Sequence, residues 1–436
     1  MKDYPYNCTE QLSARGLALL NLLPLLGDTE AAQAKELIPG IISQIYSRQH
    51  SDGGFLYWPG SKRSDSWVSS MAGTFLSQAS AAGYSVQRSV LSNWEKYQKN
   101  LSQAFRLAGN AAFSEMDESY RLYSLAVAGQ PLSGAMNRLK ESETLDNRAR
   151  WMLAAAYAVA GKTQTAKDII GTAGKEFEEY DPSNITYGSC DRDKAVALEV
   201  LALTDNLAEA LPLASELAAT FSRGWYSTQE AAFLSVAMQR LHAKIDSKAI
   251  VAEVGSQAVT TAKSIYGVPA SGKVTVKNNG EGLLYATLVN VSKAPAGTPV
   301  AAAENGIKLQ ASYTSLQGQA IAVKQLRQGT EFYCTVTVNN PAGRGITSIA
   351  LREMIPSGWE IQNERLRGGD TYGHQDIRDD GCLWFFDLPS GATKTFKLRL
   401  RAAYEGTYTL PSIVCEAMYE PRISARTASS TTSVVR

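Results

Sequence analysis

The 436-residue sequence predicts a multidomain protein that is α first and β second: an α/α toroid of helical hairpins, then a β-strand segment, then a C-terminal immunoglobulin-like β-sandwich. Three observations predict this. A single hydrophobic core stops growing near roughly 250–300 residues, so a chain of this length divides. The apolar period is helical up to about residue 255 and strand-like beyond it. Before that point, roughly ten to twelve alanine- and leucine-rich stretches follow one another with short connections, as hairpins do when they stack or close into a ring.

The helical stretches carry their own punctuation. In DNRARWMLAAAYAVAGK, Trp151, Ala154, Ala155 and Ala158 recur at helical spacing, and Gly161 stands where a C-terminal cap belongs. In DKAVALEVLALTD, Ala195, Leu198, Leu201 and Leu203 form an apolar face, with Asp191 and Asp193 as candidate N-caps. SWVSSMAGTFLSQASAAG and TQEAAFLSVAMQRLHAK read the same way. The breaks Asp52-Gly53-Gly54-Phe55 and Gly224-Trp225-Tyr226 fall between helices, where a ring would gather them on one rim.

Residues 16–27 (GLALLNLLPLLG) imitate the apolar core of a signal peptide. Asp3, Cys8 and Glu10 precede them, where a signal is short and basic, and Pro24 interrupts the run, so a buried helix is expected and no membrane span. With only Met1 and Lys2 ahead of a structured motif, the chain is expected to be part of a longer protein whose targeting information lies elsewhere.

Beyond residue 255, Thr395, Lys397, Arg399 and Arg401 alternate with Phe396, Leu398, Leu400 and Ala402, the pattern of a strand with one wet and one buried face. Residues 262–300 supply two or three strands (GKVTVKNN, LLYATLVNV), too few to bury a core alone. Residues 306–436 supply about seven, enough for a sandwich. The expected division is therefore 1–255, 256–305 and 306–436.

Composition narrows the function. Forty-three Lys plus Arg against forty-two Asp plus Glu leave a net charge of +1 and no basic stripe for phosphates, which argues against nucleic acid as a partner. Cys8, Cys190, Cys334, Cys382 and Cys415 include no C-x-x-C pair and no zinc spacing, although a disulfide among Cys334, Cys382 and Cys415 stays open. Glu364, Asp376, Asp379 and Asp380 read as a solvated loop before a cation site. No metal or other cofactor is expected, and no G-x-S-x-G, H-E-x-x-H or P-loop supplies a carrier for hydrolase or nucleotide chemistry.

The chemistry concentrates in Tyr4-Pro5-Tyr6-Asn7-Cys8-Thr9-Glu10-Gln11, just before an apolar helical run. Residues three apart on a helix or its first turn lie about 5–6 Å apart at Cβ, so small adjustments bring the Cys8 sulfur onto the Gln11 carboxamide. Attack by the thiolate with loss of ammonia gives an internal thioester, a stored acylating agent that an amine or hydroxyl opens. Such a bond needs shielding from water, and Tyr4, Tyr6, Trp58, Trp67 and Trp225 are the candidates, the tryptophans reading equally as helix caps and core fillers. Taken by itself, the pair is more often a buried thiol and a surface amide.

YPYNCTEQLSAR resembles the YPYGCxEQ stretch of bacterial alpha-2-macroglobulins and, more distantly, the GCGEQ stretch of animal alpha-2-macroglobulins and complement components. Cys8 and Gln11 match the thioester pair and Glu10 the acidic position; Asn7 departs from glycine, but Asn tolerates φ > 0 best of the other residues. DGGFLYWPG followed by SDSWVSSMAGTFL looks like a further family segment, with Asp52, Gly53, Gly54, Trp58, Asp65 and Trp67 in register. GWYSTQEAAF, with Ser227, Thr228 and Gln229, resembles the G-x-x-STQ segment of the thioester domain. HQDIRDDGCLWFFDLPSG and LPSIVCEAMYEPRISAR resemble the bacterial C-terminal domain, so the likeness covers essentially the whole chain.

The resemblance implies a fragment of a broad-spectrum protease inhibitor of the periplasm or cell envelope, and not an enzyme. A protease cuts a bait region in upstream macroglobulin domains, and the thioester acylates lysine amines of the attacker. It further implies that residues 256–305 are the returning half of a CUB-like domain and that 306–436 are macroglobulin-like. Complement components that acylate hydroxyls use a histidine; His50, His242 and His374 lie in no matching motif, so amines are the expected targets. Two other classes stand beside this reading: a thioester-inactive envelope scaffold or adhesion protein, and an α/α-toroid polysaccharide-degrading enzyme, for which no convincing carboxylate pair is present.

Overall fold

The computed structural model describes residues 6–106, 112–143, 145–180, 184–222, 226–244, 251–259, 272–280, 295, 298–362, 373–420 and 422–436. The chain forms two compact units, Met1–Val291 and Ser292–Arg436.

Eleven α-helices are present among the described residues of the first unit: α1 (Thr9–Leu22), α2 (Asp28–Tyr46), α3 (Ser66–Ala81), α4 (Arg88–Ala104), α5 (Ala112–Val127), α6 (Ser133–Lys140), α7 (Asn147–Val159), α8 (Thr163–Thr172), α9 (Cys190–Leu203), α10 (Leu207–Phe221) and α11 (Thr228–Lys244). The odd-numbered helices pack each on the next, α1 on α3 through to α9 on α11, and α11 packs back on α1. The even-numbered helices lie against their odd-numbered neighbours. The sequence explains the two roles. Helices α3 and α9 are buried along almost their full length, as interior helices are. Helix α4 buries only Val90, Trp94, Gln98 and Ser102, a single stripe four residues apart.

Two glycines set how closely these helices approach. A Cβ on Gly73 of α3 would lie 1.9 Å from the Trp94 ring of α4, and one on Gly16 of α1 would lie 2.5 Å from the Phe75 ring of α3.

Several expectations are met and some corrected. Gly161 takes φ +77° immediately after α7, as a C-terminal cap requires. The run from residue 16 does not stay a buried helix: α1 ends at Leu22, Leu23–Leu25 form a 3-10 turn, and Pro24 is exposed. Proline lacks the N–H that would continue the helix. Neither Asp191 nor Asp193 caps α9; Ser189 does, accepting from the Arg192 amide, while Asp193 turns inward to Arg192 (Nε–Oδ1 2.6 Å).

A small antiparallel sheet follows, Ala252–Val254 between Gln257–Val259 and Val276–Asn278. Val276–Asn278 belong to GKVTVKNN, whereas LLYATLVNV lies outside the described residues. No helix among the described residues is long and apolar enough to cross a membrane.

Among the described residues, the second unit is built from three sheets. The largest runs His374–Arg378, Gly381–Leu388, Ile346–Met354, Val414–Ala417, Ser424–Arg426, Ala303–Asn305. A four-stranded sheet runs Trp359–Ile361, Thr393–Ala402, Glu331–Asn339, Lys308–Ser315, and a three-stranded one Gly406–Leu410, Ser430–Val435, Gln325–Arg327. Rings of the first two sheets meet in one core, with the Phe396 ring 5.3 Å from Trp384 and 4.6 Å from Phe386. The predicted alternation holds: Phe396, Leu398, Leu400 and Ala402 are all buried. More strands are present than the seven expected, because three-residue strands such as Ser424–Arg426 are too short to show a period.

No disulfide joins the five cysteines, which corrects the pairing left open among Cys334, Cys382 and Cys415. Burial pushes the thiol of Cys190 up to about 11 and those of Cys334 and Cys415 higher still, leaving them little reactive thiolate. Asp376 pairs with Arg378 at 2.8 Å, and Glu364 lies outside the described residues.

Candidate functional site

Cys8 is the N-cap residue of α1, with extended backbone (φ −66°, ψ 164°). Its sulfur accepts from the Gln11 amide at 3.4 Å, and the Gln11 side-chain oxygen accepts from the Cys8 amide at 3.2 Å. This reciprocal pairing is the geometry of a capping box, with a thiol in the place usually held by a hydroxyl. It keeps sulfur and carboxamide on one side of the first turn. Both are inside the protein: Cys8 is 0% and Gln11 3% exposed.

Glu10 is also fully buried, and a carboxylate taken out of water needs donors. They come from the far end of the same unit. The Thr228 hydroxyl donates to both Glu10 oxygens at 3.0 and 2.9 Å, and Gln229 Nε2 donates at 2.7 Å. The Cys8 thiol points at the same carboxylate, Sγ to Oε2 4.0 Å. Thr228 and Gln229 are held by a second capping box at the head of α11, where Ser227 and Glu230 exchange bonds at 2.6 and 3.2 Å. Gln229 also accepts from Trp67 Nε1 at 3.2 Å. Beneath Trp67 lies the buried Arg192, 4.8 Å from the ring.

A third segment closes the other side. The Thr9 amide donates to the Tyr57 carbonyl at 2.9 Å, and the Thr9 hydroxyl donates to the Leu56 carbonyl. The Tyr57 ring lies 5.6 Å from Trp58, edge on, and 5.5 Å from Tyr187. Tyr187 takes φ +50°, one of three non-glycine residues with positive φ among the described ones, and its hydroxyl donates to Asp65 at 3.0 Å. Asp65 also caps α3 through the Val68 amide at 2.9 Å. Burial raises the Asp65 carboxyl to about 6, and burial followed by the Asp65 charge raises Tyr187 well above its usual value. The charges of Cys8 and Glu10 also act on Tyr187, in the same direction as burial and Asp65.

Of the residues singled out in the sequence, Cys8, Glu10 and Gln11 come together. Tyr6 is buried and Asn7 exposed, and Asn7 is not among the residues with positive φ, so the tolerance it offers is not used. Trp58 borders Tyr57, Trp67 reaches the site only through Gln229, and Tyr4 and Trp225 lie outside the described residues. His50 pairs with Asp52, Nδ1 to Oδ1 3.2 Å. Sequence reasoning missed Tyr57, Tyr187 and Arg48. Tyr57 stands beside Trp58 in a quoted motif, while Tyr187 and Arg48 carry no local signal.

At the head of a helical unit followed by a β unit, a buried thiol and a carboxamide three residues on are thus held together through each other's backbone amides. Residues 306–422 match the bacterial alpha-2-macroglobulin MG10 domain. Over its whole length the chain is 25% identical to the alpha-2-macroglobulin of Xylella fastidiosa (strain Temecula1) and 24% identical to that of Escherichia coli K12, spanning 29% of each. It also shares its fold with Salmonella alpha-2-macroglobulin reacted with methylamine (TM-score 0.80, 24% identity, 100% of this chain and 30% of that one) and with native Escherichia coli alpha-2-macroglobulin (TM-score 0.81, 22% identity, again 100% and 30%). Residues 306–422 thus carry a bacterial alpha-2-macroglobulin domain, and over its whole length the chain is similar to bacterial alpha-2-macroglobulins. It spans under a third of the length of these curated relatives.

Proposed function

We propose that this chain is the acylating part of a bacterial protease trap, and that Cys8 and Gln11 form an internal thioester. The observation that carries the reading is the buried, reciprocal pairing of Cys8 with Gln11. Sulfur adds to the Gln11 side-chain carbon and ammonia leaves. An incoming lysine amine then forms an amide with that carbon, the C–S bond breaks, and the amine's proton is balanced by the thiol that is released. The related Salmonella alpha-2-macroglobulin has been reacted with methylamine, a small nucleophile of the same class.

Several finer points belong to the same proposal. The closed circuit of helix contacts from α1 round to α11 supports an α/α toroid, and the two sheets that share a core support an immunoglobulin-like sandwich. The domain division stays at 1–255, 256–305 and 306–436. Upstream macroglobulin domains with a bait region, target proteases as covalent partners, and a periplasmic or envelope location follow from the family. Tyr57, Tyr187, Trp58 and Tyr6 are the shielding residues that the site's geometry favours. Amines are the preferred nucleophiles, and efficient glycerol incorporation would count against that.

Intact mass with and without methylamine is the test. A thioester gives a mass one ammonia below the sequence, a thiol that appears on amine treatment, and loss of both in Cys8→Ala. A mass equal to the sequence with Cys8 freely alkylated leaves the envelope-scaffold reading.

A further inference from the structure

We infer that Arg48 is a positioning residue of the acylating bond, its guanidinium set to hold the negative charge that the Cys8 sulfur takes up when the thioester opens. This rests on the thioester reading and adds a residue to it.

Arg48 lies in the turn after α2 and is 6% exposed. Its Nη1 donates to the Thr9 hydroxyl at 3.3 Å, next to Cys8. The backbone ties the same three segments together: the Leu56 amide donates to the Arg48 carbonyl at 3.0 Å, and the Leu56 carbonyl accepts from Thr9. An arginine buried to this degree needs an anion, because an unpaired charge out of water is expensive. The other deeply buried arginines have theirs: Arg121 pairs with Asp117 and Glu118, and Arg192 with Asp193. Arg48 has no carboxylate within ion-pairing distance among the described residues. Desolvation lowers its pKa, and Cys8 is the group whose charge opposes that.

The closed thioester carries no charge on sulfur and leaves Arg48 without its anion. As the C–S bond breaks, the electron pair goes to sulfur, the new C–N bond forms, and the amine gives its proton to solvent. The thiolate charge then acts on the guanidinium bonded to the neighbouring Thr9. An interaction that is stronger in the transition state than in the ground state speeds the step, and a better-stabilised thiolate leaves faster. The other titratable groups facing the sulfur are Glu10, already engaged by Thr228 and Gln229, and Tyr187. Arg48 is the one cation among these.

The test uses the full chain as wild type, Arg48→Met and Arg48→Lys, each first weighed for the one-ammonia deficit. Thiol release by methylamine is timed, and the pH profile of Cys8 alkylation by iodoacetamide is then measured on the opened protein, with peptide mass to locate the label. Arg48→Met should slow release on the order of three- to tenfold and move the alkylation profile to higher pH, and Arg48→Lys should restore most of both. Should Arg48→Met fail to fold, Thr9→Val, which removes the anchoring hydroxyl, should shift both readouts in the same direction by less. An ammonia deficit with unchanged release and an unchanged profile overturns the role of Arg48 and leaves the thioester standing. No deficit in the wild type overturns the thioester and this inference with it.

Discussion

Cys8 and Gln11 answer each other across the first turn of α1, and that pairing was legible from a spacing of three in the sequence. The residues that make the site usable were not. Tyr187, Tyr57 and Arg48 come from other segments of the chain, and no local pattern announces a tertiary neighbour. Thr228 and Gln229 stood in a quoted segment, but that they hold Glu10 emerges only when α11 meets α1. Tyr187 gives a sharp prediction. Its ring on Tyr57 and its hydroxyl on Asp65 close one side of the site, so Tyr187→Ala should hasten hydrolysis of the proposed thioester in amine-free buffer by about tenfold or more, roughly 1.4 kcal/mol of barrier. Tyr187→Phe keeps the ring and should keep most of the protection. Timed thiol release reads both, and equal rates in Ala and wild type would show that Tyr187 covers nothing.

Among the helices, the glycines inside α1 and α3 carry the most information. Propensity alone favours alanine over glycine inside a helix by up to about 1 kcal/mol. Gly73→Ala should nevertheless destabilise the helical unit by about 1–3 kcal/mol, because the new methyl group meets the buried Trp94 ring at 1.9 Å. Chemical denaturation of wild type and variant checks the sign, and a stabilised variant would show that α4 moves aside freely. Helix existence was legible from periodicity, whereas ends were less so. The sequence reading offers Asp191 and Asp193 at the start of α9, but Ser189 takes the cap, and Asp193 is drawn inward to Arg192. The strand at Thr393–Ala402 was legible because ten residues show an alternation that three cannot.

Across the chain, a buried carboxyl ties the β unit to pH. Glu353 is 2% exposed, its Oε2 has no partner, and burial raises it to about 7, with the Cys334 thiol pulling the other way. The folded state therefore holds this proton more tightly than the unfolded chain, whose carboxyl titrates near the ordinary 4.5. The stability it contributes is complete below that value, declines as pH rises to about 7, and is flat beyond, a change of roughly 3 kcal/mol. Hydrogen exchange in Gly381–Leu388, corrected for intrinsic rate, should show stronger protection at pH 5 than at pH 8, and Glu353→Gln should remove the difference. A wild-type profile rising with pH would contradict this.

The contact between α11 and α1 has a consequence in time. During synthesis the segment with Cys8 and Gln11 is made first, and the Thr228 and Gln229 that hold Glu10 follow more than two hundred residues later, 218 separating Glu10 from Thr228. Closing that span is slow compared with forming either helix. A nascent chain thus carries Cys8 and Gln11, the two reactants of the proposed acylating bond, without the surroundings that seat them. On the proposed chemistry the bond is armed only when the helical unit is complete, which spares the ribosome and the chaperones that handle the unfinished chain.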